Sequence, residues 1–491
     1  MRRLKIYHLL FYLITLFTVG CSSDRSTDQS HPNIVFILID DMGWSDLPVY
    51  GNLFNESPNI TQLAQDGMLF TNAYASCPVC SPTRASIQSG QYPARIGITD
   101  FITGHWRPYE EVVVPKNRTQ YLPLETVTIA ERLKEAGYHT GYFGKWHLGW
   151  GDKIPTNQGY DKQVVYNGGG FFGYDQRMDP PQKFPGDKVL SEALTDLSLQ
   201  FIEENKNNPF FLFLAHYDVH VQLEANKELI EKFLTKPKTD HYPCNAVYAA
   251  MIEHVDNSVG RVVAKLDELN LSDNTLVIFY SDNGGLISRF DAQPLLGPSA
   301  EWLYEDDSLK WIASSNAPLR SEKGTVYEGG VREPLIIKWP KMIPKSSRNN
   351  SLVTSVDFYP TFLEITGLRY TSDQSLDGIS LFDLITNNRH EYDRSIYWHY
   401  PVYHHDQPAA AIRRGDYKLI QNLVDQSLQL YNLADDIGER RNLASELPEK
   451  TSELLTDLQT WQSEVHAEFP QPNPNFDRVR RSEWGTHPDR N

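Results

Sequence analysis

Asn33-Ile34-Val35-Phe36-Ile37-Leu38-Ile39 runs directly into Asp40-Asp41-Met42-Gly43. After Asn33 the run is apolar without alternation and rich in β-branched residues, the pattern of a strand buried on both faces in a parallel sheet. Phe210-Phe211-Leu212-Phe213-Leu214-Ala215 and Thr275-Leu276-Val277-Ile278-Phe279-Tyr280 repeat it. The second run emits His216, Tyr217, Asp218 and His220, and the third emits Ser281-Asp282-Asn283-Gly284-Gly285. Open α/β sheets bind ligands beyond the carboxyl ends of their strands, so these acids and histidines fall where a site is expected. A single Asp-Asp pair is equally readable as a solvated turn, but Asp40-Asp41 is matched by Asp282-Asn283. Four side-chain oxygens converging from two strands are hard donors that suit Ca²⁺, or less well Mg²⁺. No histidine-rich set accompanies them, which argues against zinc.

The intervening chain supplies helices at 58–65, 126–136, 188–205 and 246–268, and further strands at 69–75, 138–143 and 335–339. The strand at 138–143 stops at Gly144-Lys145-Trp146-His147-Leu148-Gly149, and alternation in an extended chain would point Lys145 and His147 to one side. Residues 150–187 and 286–317 read as long loops of the kind that carry specificity. Past about residue 390 the pattern becomes short alternating strands at 396–400, 410–413, 417–420 and 428–431, then a helix at 447–465 and an irregular or draped tail. The expected fold is therefore α/β. A large mixed, mostly parallel sheet flanked by helices would occupy 33–390, and a smaller antiparallel sheet packed by a helix would occupy 391–491.

Cys80-Ser81-Pro82-Thr83-Arg84 continues as Ala85-Ser86-Ile87-Gln88-Ser89-Gly90. Helix formers after a cysteine and an early proline place Cys80 at the entrance of a helix, where free N–H groups favour an anion. Cys77 makes a CxxC with Cys80, so a redox or metal pair is the competing reading, yet only Cys80 has Pro and Arg at the offsets of the motif. Further on stand Lys323-Gly324 and Glu328-Gly329-Gly330-Val331-Arg332-Glu333-Pro334. Together these strings resemble the formylglycine-dependent type I sulfatases of the alkaline-phosphatase-like superfamily, over residues 33 to roughly 450. In that family the cysteine is oxidised to an aldehyde whose hydrate is the nucleophile. The resemblance implies that Asp40, Asp41, Asp282 and Asn283, with matured Cys80, hold one Ca²⁺. It also implies that Arg84, Lys145, His147, His220 and Lys323 line the sulfate pocket. His220, with Lys323, would protonate the leaving oxygen and His147 would act as base, His216 being the rival strand-end histidine and Asp218 a local partner.

The chain has 491 residues, 46 Lys and Arg against 63 Asp and Glu, and a formal charge of −17. Nucleic acid is thereby disfavoured, and an anionic substrate must be drawn in by a local basic pocket. Arg2, Arg3 and Lys5 precede an apolar run from Tyr7 to Val19, so residues 1–20 read as an export signal. Gly20-Cys21-Ser22 resembles a bacterial lipoprotein box, implying lipidation of Cys21, a tether over 21–32, and a periplasmic or cell-surface protein of a Gram-negative bacterium. The expected partners are a sulfated oligo- or polysaccharide, such as ulvan, carrageenan or a glycosaminoglycan, and a formylglycine-generating or anaerobic maturation enzyme. A membrane enters only through the lipid anchor. Tyr400-Pro401-Val402-Tyr403-His404-His405-Asp406 combines aromatic faces with polar edges, which marks His404 and His405 as substrate-binding candidates. Two rival functions stay open: a phosphodiesterase or phosphonate hydrolase using the same aldehyde, and a non-catalytic glycan-binding lipoprotein.

Overall fold

The computed structural model describes residues 31–104, 107–184, 186, 188–370, 374–389 and 393–485. The signal, Cys21 and most of the tether lie outside them. Among the described residues, Asn33–Ile39 is the central strand of a ten-stranded sheet, parallel to Phe210–Ala215 on one side and to Thr275–Ser281 on the other. His139–Lys145 extends the parallel set beyond Phe210–Ala215, followed by Lys162–Tyr166 and a short antiparallel edge, Met178–Asp179. On the other flank Arg332–Lys338 runs antiparallel to Thr275–Ser281, and Met68–Tyr74 runs antiparallel to Arg332–Lys338. Met68–Tyr74 is thus parallel to the centre again. Six of these strands therefore end on one edge of the sheet, and Arg332–Lys338 and Met178–Asp179 start there.

Every residue of Asn33–Ile39 is buried, as its unbroken apolar run predicts. Val35, Ile37 and Ile39 pack into one core with the helices Leu190–Asn205 and Ala246–Glu268. Ile34, Phe36 and Leu38 face the other way, towards Ile129–Glu135 and Phe358–Ile365. Phe36 stacks on Phe213 at 4.9 Å and meets Phe358 edge-on at 4.9 Å, so the second core is cemented by aromatic pairs.

The C-terminal residues form a four-stranded antiparallel meander, Ser395–Tyr400, Ala409–Arg414, Tyr417–Asn422 and Leu428–Asn432, with Pro448–Glu464 packed on it. One apolar cluster joins Tyr74, Val79 and Val331 to Trp398, Ile420 and Tyr431, so the small sheet packs directly against the large one. A buried ionic knot reinforces the join. Glu328 accepts from Lys418 at 2.9 Å, from Arg332 at 3.1 Å and from the Tyr74 hydroxyl at 2.8 Å, and Lys418 also meets Glu439 at 3.0 Å. Removing one partner of such a cluster leaves buried charge uncompensated, so Lys418→Ala should destabilise the fold by about 3–5 kcal/mol, read as a lowered unfolding midpoint in denaturant.

Several boundaries differ from the sequence reading. The 150–187 stretch is not a continuous loop, because Lys162–Tyr166 and Met178–Asp179 add two strands to the sheet edge. The 286–317 stretch holds short helical turns at Pro298–Leu303 and Asp307–Lys310. The 126–136 helix starts only at Ile129, where Thr128 caps it and Glu131 reaches back to the Thr128 N–H.

Candidate active site

The strand ends converge as the topology requires. Asp40 and Asp41 follow the central strand, His220 follows Phe210–Ala215, Asp282 and Asn283 follow Thr275–Ser281, and Lys145 closes His139–Lys145. Cys80 opens the helix Cys80–Ser89 a few residues beyond Met68–Tyr74, at the expected helix entrance, and is buried. Lys323 arrives from the segment that leads into Arg332–Lys338. Lys145 Nζ pairs with Asp40, and Lys323 Nζ pairs with both oxygens of Asp41 at 2.6 and 2.8 Å. His220 Nε2 stands 3.7 Å from Asp41.

The residues around Cys80 have separate jobs. Ser81 Oγ donates to His147 O at 2.8 Å and accepts from Ile102 N at 3.0 Å, tying the helix to two loops. Thr83 Oγ1 donates to Cys77 O at 3.0 Å, closing the turn in front of the helix. Arg84, one turn on from Cys80, places Nε and Nη2 on Asp282 Oδ2 at 2.8 and 2.7 Å and Nη1 on Lys145 O at 2.6 Å. Cys77 and Cys80 are separate thiols, and burial raises the Cys77 pKa far above the ordinary thiol value, which counts against a redox pair. The glycines are equally accountable: a Cβ on Gly284 would fall 1.9 Å from Gly329 O, so the Asn-Gly-Gly and Glu-Gly-Gly strings pass backbone to backbone.

Burial and charge act in opposition here. Burial works to raise Asp40, but Lys145, His220, Arg84 and Lys323 outweigh it and hold the carboxyl well below the usual range. Burial, then the neighbouring Asp40, pushes Asp282 up to about 6. Lys145 and Lys323 stay cationic despite burial because Asp40 and Asp41, respectively, hold their protons. Burial depresses His220 to about 4 and, together with Lys145, carries His147 well below its normal value, so both rings are neutral at pH 7. Cys80 is raised by burial, against the pull of Lys145 and Lys323.

The donor set fits a hard divalent cation. Asp40, Cys80 and Asp282 bring ligand atoms within 4.8 Å of one another, as do Asp40, Asp41 and His220. Asp40 Oδ1 and Asn283 Oδ1 are buried with no hydrogen-bond partner among the described residues, so two oxygens of the right kind stand unclaimed.

Above this floor lies a cavity of about 790 Å³ lined by Cys80, Lys145, His147, His220, Lys323 and His404, among others. Three sequence expectations need correction. Arg84 does not line it; one helical turn from Cys80, its guanidinium lies behind the floor and braces Asp282. His405 does not line it either, because its ring bridges Lys323 O at 2.8 Å and Ser288 O at 2.9 Å, one layer back. Lys145 and His147 both reach the cavity, but not by strand alternation, since His147 has left the extended region at φ +57°. His216 is fully buried against Ser258 Oγ at 2.9 Å, and Asp218 meets Asp40 through its backbone. Sequence reading missed the cavity's aromatic wall. Lys145 Nζ lies over the Tyr217 ring at 5.1 Å, and Tyr217, Phe290 and Trp484 all line the cavity.

A family model described as "Sulfatase" matches residues 32–368. The chain belongs to the sulfatase family. A second model, "N-sulphoglucosamine sulphohydrolase, C-terminal", matches residues 321–467 of this sulfatase. It is 33% identical to a protein of Formosa agariphila named "Sulfatase", over 90% of this chain and 89% of the other. It is also 31% identical to the N-acetylgalactosamine-6-sulfatase of Canis lupus familiaris, over 79% of this chain and 71% of that one. Among solved structures, Ps i-CgsB in complex with k-i-k-neocarrahexaose matches with a TM-score of 0.74 and 27% identity, covering 92% of this chain and 96% of that one. This sulfatase is accordingly a sulfuric ester hydrolase with the alkaline-phosphatase-like fold; sulfatases typically have a metal site, and the strand-end acids form a group that could hold a metal ion.

Proposed function

We propose that this sulfatase removes sulfate from a sulfated oligo- or polysaccharide, with Cys80 matured to formylglycine as nucleophile and one Ca²⁺ held by Asp40, Asp41, Asp282 and Asn283. The observation that carries the reading is the buried Cys80 at a helix entrance, between two cationic lysines and beside three buried carboxylates, on the floor of a large cavity. Relatives named for N-acetylgalactosamine 6-sulfate and a neighbour bound to a carrageenan hexasaccharide support a saccharide substrate. When bound, the cation would offset negative charge on the sulfate and on the matured side chain.

The chain's own groups do the rest. Lys145 and Lys323 present fixed positive charge to the sulfate from a dry floor, where it counts for more than in water. This local charge answers the problem of an acidic chain with an anionic substrate. Arg84 holds Asp282 and the Lys145 backbone so that neither moves as charge shifts. His220 Nδ1 faces Val221 O at 2.5 Å, which turns Nε2 towards Asp41 and the cavity. A bound sulfate ester beside it favours the imidazolium, so His220, aided by Lys323, is placed to protonate the leaving sugar oxygen. His147 Nε2 faces Ile102 O at 2.6 Å, leaving the buried Nδ1 as an acceptor for the proton released when sulfate departs.

In this reading residues 1–20 act as the export signal, Cys21 takes a lipid, and a formylglycine-generating or anaerobic maturation enzyme acts on Cys80. Among the described residues no helix is long and apolar enough to cross a membrane. The substrate test is a desulfation panel of carrageenan, ulvan and glycosaminoglycan oligosaccharides, with paired sulfate and phosphate esters alongside. Turnover restricted to phosphate esters would contradict the reading. Within the panel, His404→Ala should cut turnover of the preferred oligosaccharide ten-fold or more, about 1.4 kcal/mol of transition-state binding. His405→Ala, whose ring props the Lys323 backbone, should instead weaken oligosaccharide and small aryl sulfate alike.

A further inference from the structure

The C-terminal tail returns to the cavity. After Pro448–Glu464 the chain runs back along residues 107–113, pairing Gln471 and Pro472 with Val113 and Val112. Asn473 Nδ2 donates to Pro108 O and Glu110 O at 2.9 and 2.7 Å, and its N–H donates to Glu111 O at 2.9 Å. Arg480 lies over the Tyr109 ring at 3.6 Å, and Arg481 pairs with Glu110 at 3.0 Å and Glu111 at 3.3 Å. This strap is polar and largely exposed, so it adds little to the core. Its last described residues, Trp484 and Gly485, border the same cavity as Cys80.

Trp484 is held there from two sides. The Arg107 guanidinium sits 4.0 Å over its ring, and Phe290 meets it at 4.7 Å and 67°. Phe290 in turn contacts His404 at 5.0 Å, and His404 packs on Gly324, where a Cβ would fall 2.0 Å from His404 Nδ1. A continuous wall thus leads from Lys323-Gly324 on the floor through His404 and Phe290 to Trp484 at the outer rim. Beside Phe290, Arg289 and Asp291 also border the cavity and form a bidentate pair with each other, neutral overall and rich in donors and acceptors. Rigid aromatic surface beside a neutral hydrogen-bonding pair suits a sugar ring, whose faces are apolar and whose edge carries hydroxyls.

We propose that Trp484 and Phe290 form a subsite for the saccharide residue beyond the one that carries the scissile sulfate. Arg289 and Asp291 would meet that residue's hydroxyls. The inference rests on the saccharide reading above and extends it: this sulfatase would favour oligosaccharides of more than one ring over single sulfated sugars. The specificity of the outer subsite would then be set by a tail far in sequence from the nucleophile.

The test compares kcat/KM on the preferred hexasaccharide of the panel with kcat/KM on a small aryl sulfate, for wild type, Trp484→Ala, Trp484→Phe and Phe290→Leu. The hexasaccharide-to-aryl-sulfate ratio should fall ten-fold or more in Trp484→Ala, mainly through KM. It should fall less than three-fold in Trp484→Phe, which keeps an aromatic face, and to an intermediate degree in Phe290→Leu. An unchanged ratio in both Trp484→Ala and Phe290→Leu would overturn the subsite. So would a Trp484→Phe variant as impaired as Trp484→Ala, because shape rather than stacking would then matter. A wild type active on aryl sulfate and idle on every saccharide would overturn the saccharide reading itself, and the subsite with it.

Discussion

Cys80→Ser will fold normally and lose turnover of sulfate esters by about 10⁴-fold or more. The substitution is nearly isosteric at a buried position in the first turn of a helix, and none of the contacts of Ser81, Thr83 or Arg84 depends on the sulfur. What disappears is chemistry. Serine offers one oxygen and no second hydroxyl, so any sulfate transferred to it has no internal route of release. Lys145 and Lys323 remain, and the variant should still bind sulfated substrate. Single-turnover and steady-state rates on an aryl sulfate, with circular dichroism as the fold control, check the prediction. Wild-type turnover by the serine variant, made in a host that matures only cysteine, would sink the mechanism.

Asp282→Ala should remove bound calcium and at least about 100-fold of activity together, since one charged ligand of a small hard-ion site carries much of its affinity. It should also lower the unfolding midpoint, because Arg84 is fully buried and Asp282 is its near partner, with Asp40 at 3.9 Å the remaining carboxylate. Asp282→Asn separates the two effects by keeping the shape and an acceptor for Arg84 while removing the charge. Proton competition gives a further readout. Asp282 sits near pH 6, raised first by burial and then by Asp40, so it is protonated below that pH and must shed the proton to bind a cation. Calcium affinity should therefore weaken as pH falls below about 6, approaching ten-fold per unit, and level off above it. Elemental analysis and titration calorimetry across this range would show it, and unchanged calcium content in Asp282→Ala would refute the ligand assignment.

The central strands were legible because burial on both faces removes the need for polar residues, leaving runs such as Asn33–Ile39 that few other structures explain. Cys80, Asp40-Asp41 and Asp282-Asn283 were legible because their types and neighbours are dictated by local chemistry. The strand Lys162–Tyr166, next to the sheet edge, was not, since it lies within a Gly- and Asp-rich stretch and its partners are fixed only by the sheet. The direction of Arg84 escaped reading because it depends on what lies behind the Cys80 helix, here Asp282 nearly two hundred residues away in the chain. His404 and His405 look alike in sequence, yet the turn sends one ring to the cavity and the other to the carbonyls of Ser288 and Lys323. Trp484 carried no signal at all: no periodicity leads to it, and its partners Arg107 and Phe290 come from remote segments.

Catalysis depends on the chemical state of the Cys80 side chain, and peptide mass spectrometry of the Cys80 segment from active enzyme reads it directly. The expected mass is that of the aldehyde, with the sulfur and two hydrogens of the cysteine replaced by one oxygen, and turnover on aryl sulfate should rise in proportion to the aldehyde fraction across preparations matured to different extents. A preparation holding only the intact thiol at Cys80 and turning over at full specific activity would contradict it.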